Sequence, residues 1–571
     1  MVDGVTRRQV LRAGGGALAT IAAPGVIRAQ EPAFNILFVF SDQERYFRDW
    51  PAGLTLPGHE RLARRGVTFH NHYGPAVMCT SSRSVLMTGL QTADTGMFDN
   101  TNAPYQPDLS PDIPTYGHML RAAGYYAAYD GKWHLNAAFD TGEPNRLFYK
   151  EMEAYGFHDY YSVGDVIGHE RGGFQYDHLI AGNAISWLRN RGQALNAAGR
   201  PWALTVSLVN PHDVMYFNTD RPGDAVQDPG NLIFQARRAP DHALYRAAWD
   251  LPLPANLRQP FDEPGRTSAH GEYQDAWNVL LGAIPDEDER WVRLNDYYLN
   301  CIRHVDRQLG RLLNELDALG LSDRTIVLYS SDHGEMAGAH GLRGKGPFAY
   351  EECIHLPFYV VHPDVAGGQD CRALTSHIDV APTILSLAGM AAADRGDAAG
   401  RDLPGYDIGD LLQDPRGAAV DALRDDVLFT YSALMTVDAD LMRRVAAVRA
   451  EGKPAKAAFA DGFRPDLTKR GSLRTLFDGR TKFTRYFGPV ERHRPTTLDE
   501  LYALNDVELF NLETDPQEDV NLAARLGDND ALVLAMNARL NARMDAEYGR
   551  DDGREMPEVE GLNWAIERPD L

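Results

Sequence analysis

Short unbroken apolar runs along the chain alternate with stretches in which apolar residues recur every three or four positions. The runs "FNILFVF", "WALTVSLV" and "TIVLYS" have strand length, and each runs into polar residues: Ser41-Asp42-Gln43, Asn210-Pro211-His212-Asp213 and Asp332-His333-Gly334. Apolarity without alternation marks strands buried on both faces. "LPFYVVH" predicts a further strand. So does Tyr125–Tyr129, which leads into Gly131-Lys132-Trp133-His134. Helical spacing predicts helices over "GHERLARRG", over the segment reaching Ala123, and over "DVAPTILSLAG". A long helix gathers Leu299, Ile302, Val305, Leu309, Leu312, Leu313 and Leu316 on one face, with Gly320 as its stop.

Strands alternating with helices predict an α/β fold, a large, mostly parallel mixed sheet sandwiched by helices. In such folds ligands bind at the carboxyl ends of the strands. Asp42-Gln43, Lys132, His134, His212 and Asp332-His333 all lie there. From Asn218 to about Asp286 the chain is rich in Pro, Gly and charge without clear periodicity, which predicts a long irregular insertion. Further on, "RGSLRTLFDGRTKFTRYFG" and "ELYALNDVELFNLETDPQEDVNLA" predict a small antiparallel sheet, followed by a helix. The reading is a catalytic domain over 31–435 and an α+β subdomain over 436–571.

Composition narrows the partners. The 571 residues carry a formal net charge of −23, which argues against general affinity for nucleic acid or anionic lipid. An anionic substrate would need a local cationic pocket. At the N-terminus, Arg7-Arg8 and a weakly apolar stretch ending near Ala29 resemble a Tat signal over residues 1–30. That implies the Tat export machinery as a partner and a periplasmic or secreted location. No later run reaches the roughly twenty apolar residues of a membrane span, so no membrane anchor is expected. There are four cysteines; a Cys353–Cys371 disulfide stays open.

The stretch "YGPAVMCTSSRSVLMTGL" places Cys79 among hydroxyls and Arg83 at the start of an apolar helix. Cys79-Thr-Ser81-Ser-Arg83, "GKWHL", "NPH", "SDHGE", "GLRGKGPFAYEE" and "ELFNLETDPQEDVNLA" together resemble the sulfatase family, of the alkaline-phosphatase-like superfamily, from Asn35 to Ala524. The resemblance implies that Cys79, exposed at a helix start, is oxidised to formylglycine by a formylglycine-generating enzyme, with Ser81 serving that enzyme. One hydroxyl of the aldehyde hydrate would attack the sulfur of a small-molecule sulfate ester and displace the alcohol. The other would then lose its proton, expel sulfate and restore the aldehyde. Arg83 and Lys132 would hold the hydrate, and His134 would be the base. His212 and Lys345 would grip sulfate oxygens and assist the leaving oxygen. Asn100 could contact the leaving group; a plain turn residue is an equal reading.

By the same resemblance Asp42, Gln43, Asp332 and His333 would bind a divalent metal together with the modified Cys79. Two carboxylates and an amide oxygen suit calcium; the imidazole brings in manganese or another transition metal. The Gln43 and His333 pairing also resembles phosphonate monoester hydrolases. The competing activity is therefore phosphonate monoester or phosphodiester hydrolysis at the same site. Taken singly, each residue has a plainer reading: a solvated lysine, a packed histidine, a capping aspartate. Tyr105, Trp133, Tyr216 and the insertion are candidates to shape the site for an aryl, alkyl or sugar ester.

Overall fold

The computed structural model describes residues 33–553, except 104, 141–147, 167–168, 229–231, 233, 435–436 and 464. The export-signal reading of residues 1–30 and the boundary at 435 lie outside the described residues. Among the described residues thirteen strands follow in chain order: β1 Asn35–Asp42, β2 Val67–Phe69, β3 His72–Tyr73, β4 Tyr126–Gly131, β5 Trp202–Pro211, β6 Thr325–Ser331, β7 Phe358–Val361, β8 Gln369–Cys371, β9 Thr375–Ser376, β10 Val427–Ser432, β11 Ser472–Phe477, β12 Thr481–Phe487 and β13 Asp506–Asn511. Seven form one sheet in the order β4-β5-β1-β6-β7-β2-β8. Its left half, β4-β5-β1-β6, is wholly parallel, with Ile36 opposite Ala203 on one side and Ile326 on the other. The strand read from "LPFYVVH" joins as β7, antiparallel to both β6 and β2.

The unbroken apolarity of β1 has its expected cause. Ile36, Phe38 and Phe40 pack on one face with Met119, Ile384 and Leu385. Leu37 and Val39 pack on the other with Leu204, Val305, Leu309 and Leu312. The long helix Asp288–Ala318 and the helix Gly172–Trp187 cover that second face; Tyr116–Ala122 and Val380–Leu387 cover the first. Among the described residues no helix is long and apolar enough to cross a membrane. All four cysteines are free and buried, so Cys353 and Cys371 are not bridged.

The insertion differs from its reading. It contains a helix, Ser268–Leu281, capped by the Thr267 side chain and ended by Gly282. Ala269, Tyr273, Ala276, Trp277, Leu280 and Leu281 form its buried stripe. The Pro- and Gly-rich flanks mask this spacing. Upstream, Asp220 accepts from the backbone of Val226 and Gln227 and pairs with Arg290 at 2.6 Å, which fixes the turn over 220–227.

The second sheet, β10-β11-β12-β13, is antiparallel throughout. Its first strand, β10, was not anticipated and lies on the amino-terminal side of residue 435. A buried cation joins this sheet to the loop after β6. Lys482 on β12 reaches Glu351 at 2.7 Å and Glu518 at 2.9 Å, and donates to the Ala349 carbonyl at 3.0 Å. Removing one member of a buried ion cluster leaves uncompensated charge, at a cost of roughly 3–5 kcal/mol. Lys482→Met should therefore lower the unfolding free energy by an amount in that range, seen as a lower urea midpoint, with Lys482→Arg losing less; an unchanged midpoint would dismiss the clasp.

Candidate active site

Asp42 ends β1, and Asp332 follows β6, its neighbour in the sheet. Between them stands Arg83 from the helix Cys79–Thr88, fully buried. Its Nη2 donates to Asp42 Oδ2 and its Nε to Asp332 Oδ2, both at 2.9 Å. Its Nη1 donates to the Lys132 carbonyl at 2.8 Å, just beyond β4, and to Ser207 Oγ at 2.9 Å in β5. One planar fork thus ties four adjacent parallel strands to one helix.

Cys79 is the first residue of that helix and is completely buried, contrary to the exposed position expected of it. The helix start is tucked under the strand ends. His333 Nε2 lies 3.1 Å from its sulfur, and Asp42 Oδ1 and Lys132 Nζ each lie 3.8 Å away. Asn100 spends its amide oxygen on the helix start, accepting from the Thr80 N–H at 3.2 Å. Ser81 is buried, and its hydroxyl has no partner among the described residues.

Asp42, Cys79, Asp332 and His333 each present a ligand atom within 4.8 Å of the others. His333 Nδ1 donates to the Gly334 carbonyl at 3.0 Å, which leaves the Nε2 lone pair facing the group. Burial holds the imidazole down to about 4, so it is neutral near pH 7. The two carboxylates share their charge unequally. Burial alone would raise Asp42, but Lys132, His212, Arg83 and Lys345 outweigh it and hold it well below the usual range. Burial and then the Asp42 charge push Asp332 up to about 6. Two buried carboxylates and a neutral imidazole with a free lone pair, beside the side chain of residue 79, fit a divalent cation.

Gln43 adjoins this group through its backbone N–H, which donates to Asp332 Oδ1 at 3.0 Å, and its φ of 76° lies in the left-handed region. Lys345 Nζ donates to Gln43 Oε1 at 2.6 Å, and Gln43 Nε2 donates to Glu335 Oε2 at 2.5 Å. The amide therefore has a fixed orientation. Glu335 also accepts from the Gly344 and Ala337 N–H groups through Oε1. It was not singled out from sequence, although it is the last residue of "SDHGE".

Lys132 lies 2.5 Å from Asp42 Oδ2. His134, at φ 55°, has both ring nitrogens buried and without a partner among the described residues. Burial, then Lys132 and Arg83, keep it neutral. Its position is set by Asp165, which accepts from the Trp133 and His134 N–H groups at 2.6 and 2.9 Å. His212 follows β5 and is held neutral by burial, then by Lys132 and Lys345. Asp177 and Asp213 fasten the turn that carries it, accepting from Val209, Asn210, Gly173 and Phe174 N–H groups. Asp165, Asp177 and Asp213 had no signal in sequence, since backbone acceptors need no motif. Trp133 is fully buried and packs on Tyr129, Tyr155 and Phe157 in the main core cluster.

The Lys345 loop is held from outside by the unanticipated helix. Tyr273 Oη lies 2.7 Å from the Lys345 carbonyl and 3.0 Å from that of Arg343. Arg343 in turn donates to Gly282 O and Trp277 O, at the carboxyl end of the same helix. Gly346 is required here, because a Cβ would sit 2.4 Å from the Tyr273 ring.

Residues 35–390 match a family model described as Sulfatase. The chain is similar to the choline-sulfatase of Rhizobium meliloti (strain 1021), with 30% identity over 379 residues, 62% of this chain and 68% of that protein. It is 27% identical over 415 residues to an N-acetylglucosamine-6-O-sulfatase of Bacteroides thetaiotaomicron, 65% of this chain and 70% of that protein. Among solved structures it is similar to a phosphonate monoester hydrolase from Silicibacter pomeroyi. The TM-score is 0.61 at 21% identity, covering 91% of this chain and 97% of that one.

Loss of one buried hydrogen bond of about 1 kcal/mol corresponds to roughly a fivefold change in local opening. Tyr273→Phe should raise amide exchange across residues 343–346 by about that factor while the global fold persists. Unchanged exchange there would mean that the hydroxyl does not hold the loop.

Proposed function

The chain belongs to the sulfatase family, and from that premise we propose that it hydrolyses an organic sulfate monoester to an alcohol and inorganic sulfate. The observation that carries the reading is the convergence of five cationic or imidazole side chains on Cys79 and the Asp42–Asp332 pair. In a chain of net charge −23, Arg83, Lys132 and Lys345 supply the local cationic pocket that a sulfate ester requires, with the His134 and His212 imidazoles beside them.

Cys79, converted to formylglycine, supplies the nucleophile. A divalent cation held by Asp42, Gln43, Asp332 and His333 supplies Lewis acidity beside it; the oxygen-rich donor set favours calcium, with manganese the competitor that the imidazole admits. Arg83 and Lys132 fix the charge around residue 79. Lys345 and His212 bind sulfate oxygens and assist the departing alcohol oxygen, as acid or electrostatic stabiliser. His134 is neutral with an open nitrogen, as a base must be before it accepts a proton. An anion arriving beside it would raise its basicity.

The alternative ester is a phosphonate monoester or a phosphodiester, favoured by the Gln43 and His333 pairing at the metal. Its tetrahedral oxyanion presents similar charge to the same pocket. The ester's alcohol is left open, since the relatives named above differ in theirs. Export to the periplasm or beyond through the Tat machinery is proposed from residues 1–30.

Three outcomes are expected. Protein made with the modifying enzyme should show formylglycine in the tryptic peptide 66–83, and Cys79→Ala should lose at least roughly a thousandfold in rate. Persistent hydrolysis by unmodified Cys79 would refute the nucleophile. Glu335→Ala, which frees the Gln43 amide, should weaken metal retention roughly 10–100-fold, and Asp332→Asn should abolish it, both read by elemental analysis after dialysis. Aryl sulfate should be cleaved faster than aryl phosphonate at equal concentration; the reverse ranking would establish the alternative.

A further inference from the structure

Along β12 the side chains alternate between two environments. Lys482 and Tyr486 face the catalytic loop, through Ala349, Glu351 and Glu508. Arg485 faces the other way, toward the helix Asp530–Arg543, where its Nη1 donates to Asn537 Oδ1 at 3.0 Å and Asn541 Oδ1 at 2.7 Å. Both acceptors are neutral amides. Arg485 is only 3% exposed, yet it forms no ion pair with any described carboxylate. Asp551, whose charge reaches it, is already bridged by Arg474 at 2.9 Å and Arg492 at 2.6 Å. Burial lowers the Arg485 guanidinium to about 10, opposed by Asp551 and reinforced by Arg474 and Arg494.

A desolvated guanidinium without a counter-ion is costly, and here it borders open space. A cavity of about 350 Å³ is lined by Arg485, His493, Arg494, Asp545, Arg550 and the Arg474- and Arg492-bridged Asp551, among others. Arg494 and Asp545 pair with each other at the rim. His493 Nδ1 donates to the Glu491 carbonyl at 2.8 Å, and its Nε2 has no partner among the described residues. The cavity therefore holds a guanidinium with no carboxylate in ion-pair contact, an unpartnered ring nitrogen, and two carboxylates, Asp545 and Asp551, that are already paired with other arginines.

We propose that this cavity is a second, non-catalytic site for a tetrahedral oxyanion, sulfate or phosphate, seated on the open edge of the Arg485 fork. The inference stands apart from the hydrolytic reading, because it uses none of its residues. A guanidinium edge matches two oxyanion oxygens at once. The opposite orientation of Lys482 and Arg485 on one strand puts this site on the far face of the second sheet from the catalytic loop.

Equilibrium dialysis of the full-length protein against labelled sulfate, and separately phosphate, tests it, with ionic strength held constant by sodium chloride. Arg485→Gln should lose one bound anion per chain relative to the parent while its hydrolytic rate in dilute anion stays unchanged. Arg494→Gln, at an exposed rim position, leaves Asp545 unpaired and should weaken the same anion roughly tenfold or more; it decides the matter if Arg485→Gln does not fold. Equal anion stoichiometry in parent and Arg485→Gln, or unchanged affinity in Arg494→Gln, would overturn the proposal. If sulfate and phosphate both occupy the lost site, the shared oxyanion chemistry is established; if only one does, it identifies the ligand.

Discussion

The Arg83 guanidinium is the contact on which the rest of the site depends. It contacts β1 and β5 and the residues directly following β4 and β6, and it belongs to the helix that begins at Cys79. Its two carboxylate partners, Asp42 and Asp332, are fully buried. Each would be prohibitively costly there alone, and so would the guanidinium. Paired, they fix the spacing of two strand ends and point the remaining carboxylate oxygens at the Cys79 sulfur. The same contact closes the sheet to the helix and builds the candidate metal group.

Burial then governs the chemistry. Cys79, Lys132, Asp332 and Lys345 are fully covered, and His134, His212 and His333 nearly so. In such a medium charges act strongly on each other and weakly on solvent. The three histidines are consequently neutral, while Lys132 and Arg83, each facing Asp42, stay charged. Electrostatic stabilisation of an arriving anion needs no reorganisation of these groups. Their positions are over-determined from behind, by Asp165 under His134, Asp177 and Asp213 under His212, and Glu335 under both Gln43 and the Gly344 turn. The strained φ values at Gln43 and His134 are held by this second set of contacts.

The second sheet is tied into this arrangement. Lys482 reaches the loop behind Lys345 through Ala349 and Glu351, and Tyr273 holds the front of the same loop. The segment bearing a proposed substrate-gripping lysine is thus clamped by one residue from the insertion and one from the carboxyl-terminal sheet. Both lie far from it in sequence.

Much of this was legible in the chain alone. Unbroken apolar strands such as "FNILFVF" can be buried only between two layers, so the sandwich followed from their composition. Polar residues directly after those strands had to gather along one sheet edge. For that reason Asp42, Gln43, Lys132, His134, His212, Asp332 and His333 could be named before any coordinates. Local pattern also set the long helix ending near Gly320. What the chain could not disclose were contacts whose meaning is non-local. Asp165, Asp177 and Asp213 act by accepting backbone N–H groups, and any carboxylate can do that. The Ser268–Leu281 helix lay hidden between Pro- and Gly-rich flanks, and its Tyr273 matters only because folding brings the Lys345 loop against it. Likewise the burial of Cys79 and the uncompensated charge of Arg485 are properties of enclosure. Sequence determines which groups are present and which face of each element they share; only tertiary packing decides which charges lose their water, and therefore which must find partners.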